Sequence, residues 1–145
     1  MTANLWQHGR RVPGVTAETQ SYWQGGADGE LRIQHCGACS VWQHPPGPVC
    51  RRCHGSAELS PRAVSGEGRI VSWTRNDQPW YPGQPVPFRV GYVELVEQPG
   101  LFIFAGLSGL DDAADPMYRR VQARFHRQGA AWLPVFSACD EGAAS

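Results

Sequence analysis

A chain of 145 residues, 41% of them hydrophobic, can bury one core plus a small appendage, and no stretch approaches the roughly 20 apolar residues that span a bilayer. Its 13 cations balance 13 anions for a formal net charge of +0, which argues against a protein built to grip phosphate backbones. Every cation is an arginine, so lysine Schiff-base chemistry and a phosphate-loop lysine are excluded.

Residues 1–34 read as an N-terminal helical arm. Met1 to Arg11 holds no apolar run of the secretory kind, so a cytoplasmic setting is expected. Thr16 is placed to cap a helix beginning at Ala17, with Glu18 in the first turn, where the helix dipole favours an anion. That helix carries Tyr22 and Trp23, and Gly25-Gly26 is expected to stop it. Leu31, Ile33 and His35 then alternate with Arg32 and Gln34, the pattern of a strand.

Residues 35–60 form a cysteine block. Cys36-Gly37-Ala38-Cys39 and Cys50-Arg51-Arg52-Cys53 are two C-x-x-C pairs with ten residues between them. Each pair forms a tight knuckle aiming two sulfurs at one point, and two facing knuckles make the tetrahedron that zinc takes with four thiolates. Gly37 and Gly55 are expected to supply the backbone freedom these knuckles need. Four thiolates fill the coordination shell, so the metal is read as structural rather than catalytic. His35, His44 and His54 flank the cysteines but are not needed as ligands. Redox-active dithiols are the competing reading, yet no helix-starting C-x-x-C within an α/β pattern is present.

Residues 61–138 change to short strands between turn signals, followed by a flexible tail at 139–145. Strands are predicted at Arg69–Arg75, Phe88–Val96, Leu101–Leu107, Tyr118–His126 and Trp132–Ser137. Five short strands in this length fit a small closed barrel of the oligonucleotide/oligosaccharide-binding (OB) type, with a sandwich half as the competitor. The fold class is therefore mainly β: short N-terminal helices, a rubredoxin-like zinc ribbon and a five-stranded OB-fold barrel.

No serine elbow, H-E-x-x-H or G-x-G-x-x-G motif occurs, and no nucleophile–base pair is visible, so no catalytic residue is assigned. Asp111, Asp112 and Asp115 read as a solvated turn, and Cys139 as a bystander thiol. Between the first two barrel strands, residues 76–87 hold four prolines and the adjacent aromatics Trp80 and Tyr81. Such a stiffened loop either presents its rings to a partner or apolar ligand at low ordering cost, or folds them back as a cap on the barrel.

The order of these features resembles a known family. Tyr22-Trp23-Gln24-Gly25 and Gly29-Glu30-Leu31 precede the two C-x-x-C pairs, with Pro45-Pro46 between those pairs. Then come Ser65-Gly66-Glu67-Gly68-Arg69-Ile70, Ser72-Trp73-Thr74, Gly91-Tyr92-Val93-Glu94-Leu95 and Leu133-Pro134-Val135-Phe136. Together they resemble the zinc-ribbon plus OB-fold, acyl-CoA-associated family formerly called domain of unknown function thirty-five, over roughly residues 16–138. The resemblance implies a non-catalytic subunit of a thiolase-like enzyme, in a hetero-oligomer that shares an acyl-CoA channel. Such a subunit is inactive alone yet essential to an acyltransferase, thiolase or aldolase complex. On that basis Trp80 and Tyr81 are expected at the channel or interface, Arg75 and Arg89 near the phosphates, and Tyr22 and Trp23 as an alternative docking surface. One departure stands out: the family's glycine before the fourth barrel strand is missing from Asp115-Pro116-Met117-Tyr118-Arg119-Arg120-Val121. A single-stranded nucleic-acid-binding module is the alternative function; neutral net charge weighs against it.

Overall fold

The computed structural model describes residues 12–111 and 114–139; the expectations for 1–11, Asp112 and 140–145 lie outside these residues. Thr16 and Thr19 bond reciprocally: Thr16 N–H donates to Thr19 Oγ1 at 2.9 Å, and Thr19 N–H to Thr16 Oγ1 at 3.2 Å. Two donors at the start of the helical turn are thereby satisfied, as in a capping box. Gln20 N–H reaches the Thr16 carbonyl, so helical bonding does begin at Thr16, although regular helix α1 spans Gln20–Gln24.

Gly25 and Gly26 do not end the winding. The chain tightens into a 3₁₀ turn, Gly25–Asp28, and stops at Gly29, where φ is 71°. Gly26 serves packing instead. A Cβ there would lie 2.6 Å from Trp132 Cβ and 2.8 Å from Phe125 Cδ1, so its missing side chain lets the arm lie directly on the barrel.

The ribbon is a three-stranded antiparallel sheet of β1 (Leu31–Cys36), β2 (Val41–Gln43) and β3 (Leu59–Val64), ordered β2-β1-β3. β3 was not expected as a strand, and the boundary at residue 60 cuts through it. Pro61 is tolerated because β3 lies at an edge of the sheet, where a missing N–H costs no ladder bond. Its mostly exposed residues hide the alternation by which strands are read.

The five remaining strands are β4 (Glu67–Asn76), β5 (Phe88–Leu95), β6 (Phe102–Ser108), β7 (Arg120–Gln128) and β8 (Ala131–Ala138). They close as β4-β5-β6-β8-β7, with β6 and β8 parallel and the other pairs antiparallel. This is the predicted five-stranded OB barrel, and closure leaves no free sheet edge. β4 shifts register between Ile70 and Ser72, the bulge by which a long strand bends to pair with both β5 and β7. Opposite the bulge, a side chain at Gly91 would strike the Ser72 carbonyl.

One core joins arm, ribbon and barrel: Tyr22, Leu31 and Ile33 pack with Ile70, Val93, Ile103, Val121 and Phe136. Gln98, in the β5–β6 turn, adds a polar fastening. Its amide accepts from Trp42 N–H at 2.9 Å and donates to the Trp42 carbonyl at 3.0 Å, tying β2 of the ribbon to the barrel.

Candidate functional site

The two knuckles bring the Cys36, Cys39, Cys50 and Cys53 sulfurs within 4.8 Å of one another. Cys36 Sγ and Cys53 Sγ are 3.8 Å apart. A tetrahedron with metal–sulfur bonds of about 2.3 Å has an edge of about 3.8 Å, so the donor set fits zinc in both chemistry and size. Arg52 N–H points at Cys50 Sγ (3.3 Å) and Gly55 N–H at Cys53 Sγ (3.5 Å), donors that favour thiolate over thiol.

The thiols are in conflict without a cation. Backbone N–H groups of Cys53 and Arg52 pull Cys50 down to about 6, while hydrogen bonding with Cys53 pushes Cys39 up to about 12. Four sulfurs this close cannot all ionise unaided, and a divalent cation removes that conflict.

Gly37 and Gly55 do not supply the backbone freedom expected of them, since neither has positive φ. That conformation falls to the residue after each second cysteine, Ser40 (φ 56°) and His54 (φ 62°). Their repeated place, one step past each C-x-x-C, is the sequence signal that would have found them. His35 stacks edge-on against Trp42, and His44 against Tyr22 at 4.7 Å, so both serve packing.

The remaining predicted residues are not gathered into one site. Trp80 is 72% exposed on its loop, so it does not fold back as a cap. Tyr81 is half-buried beside it, its carbonyl accepting from Gln84 N–H. Arg75 and Arg89 face each other across β4 and β5, and Arg75 also pairs with Asp77 at 3.0 Å. Tyr22 is a core residue, 7% exposed, with its ring 4.8 Å from Trp23; burial raises its hydroxyl above the usual tyrosine range. As a docking surface, therefore, that pair offers Trp23 rather than Tyr22. Trp23 borders a groove of about 80 Å³ with Val90, Phe104, Leu133 and Pro134.

Beside that groove lies a feature the sequence reading missed. Tyr92, Phe102 and Phe104 project outward from β5 and β6, 47%, 43% and 55% exposed. The Tyr92 ring lies 5.1 Å from Phe104 and 6.5 Å from Phe102, forming one aromatic face. Large rings clustered on a surface mark interaction sites more often than singly scattered ones.

Comparison with known proteins agrees with this architecture. Residues 23–60 match the ChsH2 rubredoxin-like zinc ribbon domain, and residues 61–126 the ChsH2 C-terminal OB-fold domain. The ribbon match and the four-sulfur donor set together make zinc its structural cofactor. The chain is 32% identical over 113 residues to the 3-oxo-4,17-pregnadiene-20-carboxyl-CoA hydratase alpha subunit of Mycobacterium tuberculosis, covering 78% of this chain and 35% of that protein. It is also 32% identical over 88 residues to the probable enoyl-CoA hydratase alpha subunit of Thermomonospora curvata, covering 61% of this chain and 27% of that protein. The chain thus spans about a third or less of those relatives. Among solved structures, a chain of the Ltp2-ChsH2(DUF35) aldolase superposes with a TM-score of 0.77 at 26% identity, covering 88% of this chain and 98% of that one. A DUF35-family protein of unknown function from Sulfolobus solfataricus shares the fold alone, with a TM-score of 0.59 at 11% identity over 86% and 87% of the two chains. Matched in both its ribbon and its barrel, the chain belongs to the zinc-ribbon plus OB-fold family of ChsH2-type, DUF35 proteins.

Proposed function

We propose that this chain is a non-catalytic accessory subunit that docks onto a thiolase-fold acyltransferase, thiolase or aldolase and helps enclose its acyl-CoA channel. The observation that carries this reading is its superposition on 98% of a chain from the Ltp2-ChsH2(DUF35) aldolase. Two further relatives are named as subunits of hydratases of CoA thioesters. In this reading Cys36, Cys39, Cys50 and Cys53 are the zinc ligands, and zinc holds the ribbon in shape without touching substrate.

Docking falls to the aromatic face of Tyr92, Phe102 and Phe104 and to exposed Trp80, with Tyr81 bracing the loop. A coenzyme A thioester needs walls around its pantetheine arm, which aromatic surface supplies, and donors for its phosphates, for which Arg75 and Arg89 are the candidates. Tyr22 contributes indirectly by seating Trp23 at the groove.

The experiment begins with tagged protein and mass-spectrometric identification of what co-purifies, followed by titration of the identified thiolase-fold subunit. Trp80→Ala with Tyr81→Ala, and separately Tyr92→Ser with Phe104→Ser, are compared with wild type. Buried aromatic anchors cost about 2 kcal/mol when truncated, so the variant that removes the anchor should bind about 30-fold more weakly. Wild type that binds no thiolase-fold subunit, and leaves such an enzyme's turnover unchanged, overturns the reading.

One observation favours a second reading. The exposed rings lie on the second and third barrel strands, the face that OB folds use for oligonucleotides, where bases stack on aromatics. The formal charge of +0 opposes it, because phosphate contacts dominate such affinity. Fluorescence anisotropy with single-stranded DNA and RNA at physiological salt decides. Sub-micromolar binding that weakens steeply with added salt would establish the nucleic-acid module in its place.

A further inference from the structure

Gln43 ends β2 and, at 6% exposed, is the buried polar side chain among the described residues. Burial of an amide is costly unless its donors and acceptor are used. Here they are. Gln43 Oε1 accepts from Arg51 N–H at 2.9 Å; Gln43 Nε2 donates to the Val49 carbonyl at 3.1 Å and to Gln34 Oε1 at 2.7 Å. Val49 and Arg51 are the two neighbours of Cys50, so one side-chain amide holds the backbone on both sides of that cysteine. In effect it replaces the strand that would otherwise pair with this segment.

Gln34, opposite Gln43 in the β1–β2 ladder, repeats the device. Its Nε2 donates to the Gly47 carbonyl at 2.8 Å, and its Oε1 accepts from Gly47 N–H at 2.9 Å. The loop leading into the second knuckle is thereby fastened to β1, the strand that ends in Cys36. The first and second knuckles are linked through two amides rather than through a continuous sheet.

We propose that Gln43, supported by Gln34, is a positioning residue for zinc: it pre-sets the Cys50–Cys53 knuckle against the Cys36–Cys39 knuckle, and so governs how tightly the metal is held. The inference rests on the four-thiolate zinc reading. It concerns groups that orient ligands without touching the metal, whose removal typically lowers metal affinity 10–100-fold. Gln98 supplies the internal control. It makes an equivalent two-point clamp, but on Trp42 and from the barrel side, and so holds the ribbon's position rather than the knuckle's shape.

The test uses the full-length zinc-loaded protein, with zinc transfer to a chromogenic chelator followed in time for wild type, Gln43→Ala, Gln43→Glu and Gln98→Ala. Gln43→Glu conserves shape and the acceptor for Arg51 N–H, yet cannot donate to Val49; it decides the matter if Gln43→Ala fails to fold. The expected result is zinc loss at least 10-fold faster in the Gln43 variants and less than about threefold faster in Gln98→Ala. Cobalt(II) substitution should show a tetrahedral thiolate spectrum that is broadened or weakened in the Gln43 variants alone. Gln43 variants that hold metal like wild type, or a Gln98→Ala that loses it equally fast, would overturn the proposal. Wild type that carries no zinc would overturn the underlying zinc reading instead, so the two failures are distinguishable.

Discussion

Replacing Gly26 with alanine tests how the arm is seated on the barrel. The new Cβ would sit 2.6 Å from Trp132 Cβ, 2.8 Å from Phe125 Cδ1 and 2.9 Å from Phe125 Cβ. Carbon atoms prefer about 3.5–4.0 Å, and two of these three atoms are Cβ atoms fixed to the barrel backbone, so either the 3₁₀ turn retreats by about 1 Å or the strands carrying Phe125 and Trp132 shift. Overpacking of this kind costs about 1–3 kcal/mol, offset by about 0.5–1 kcal/mol from the stiffer alanine backbone. The net loss is about 1–2 kcal/mol, and at roughly 3 °C per kcal/mol for a chain of this size Tm falls by about 3–6 °C. Gly14→Ala is the control, because nothing lies within 4 Å of a Cβ there and its φ is not positive. Scanning calorimetry with saturating zinc reads both variants. A Gly26→Ala protein that melts with Gly14→Ala would refute the claim that contact with Phe125 and Trp132 requires a glycine.

Cys50→Ser leaves three thiolates and should release zinc and unfold the ribbon, since metal binding and folding are linked in such domains; elemental analysis and near-ultraviolet dichroism check it, and a folded, metal-free variant would contradict it. His44 is held down at about 4 by burial, and secondarily by Arg51, so the unfolded chain binds its proton first. Stability from this group is complete above about pH 6.5 and is lost as pH falls toward 4, by at most about 3 kcal/mol. Urea melts at pH 7.5 and 5.5 should differ less in His44→Phe than in wild type. Tyr118 adopts φ 61°, in the left-handed region, and is 65% exposed. Tyr118→Gly relieves a left-handed tyrosine and should stabilise by about 1 kcal/mol, read as a higher urea midpoint; a lower midpoint would show that the ring contributes packing.

Much was legible in the sequence because it depends on short-range patterns. Thiolate chemistry and C-x-x-C spacing define the metal knuckles wherever the chain carries them. Turn residues and period-two alternation marked all five barrel strands to within a few residues. What eluded the sequence depends on partners distant in the chain. The edge strand β3 shows no alternation and is recognisable only by its pairing with β1. Gly26 reads as a helix stop until Phe125 and Trp132, about a hundred residues later, are seen against it. Gln43 carries no short-range signal, because its role depends on the backbone of Val49 and Arg51 in the second knuckle. The aromatic face is the sharpest case. Phe102-Ile103-Phe104-Ala105 is an unbroken apolar run, so the sequence leaves both phases of a period of two open, and composition favours placing the phenylalanines inside. Closure of the barrel turns Ile103 and Ala105 inward and leaves Phe102 and Phe104 in solvent, because register with β5 and β8 decides which phase faces the core.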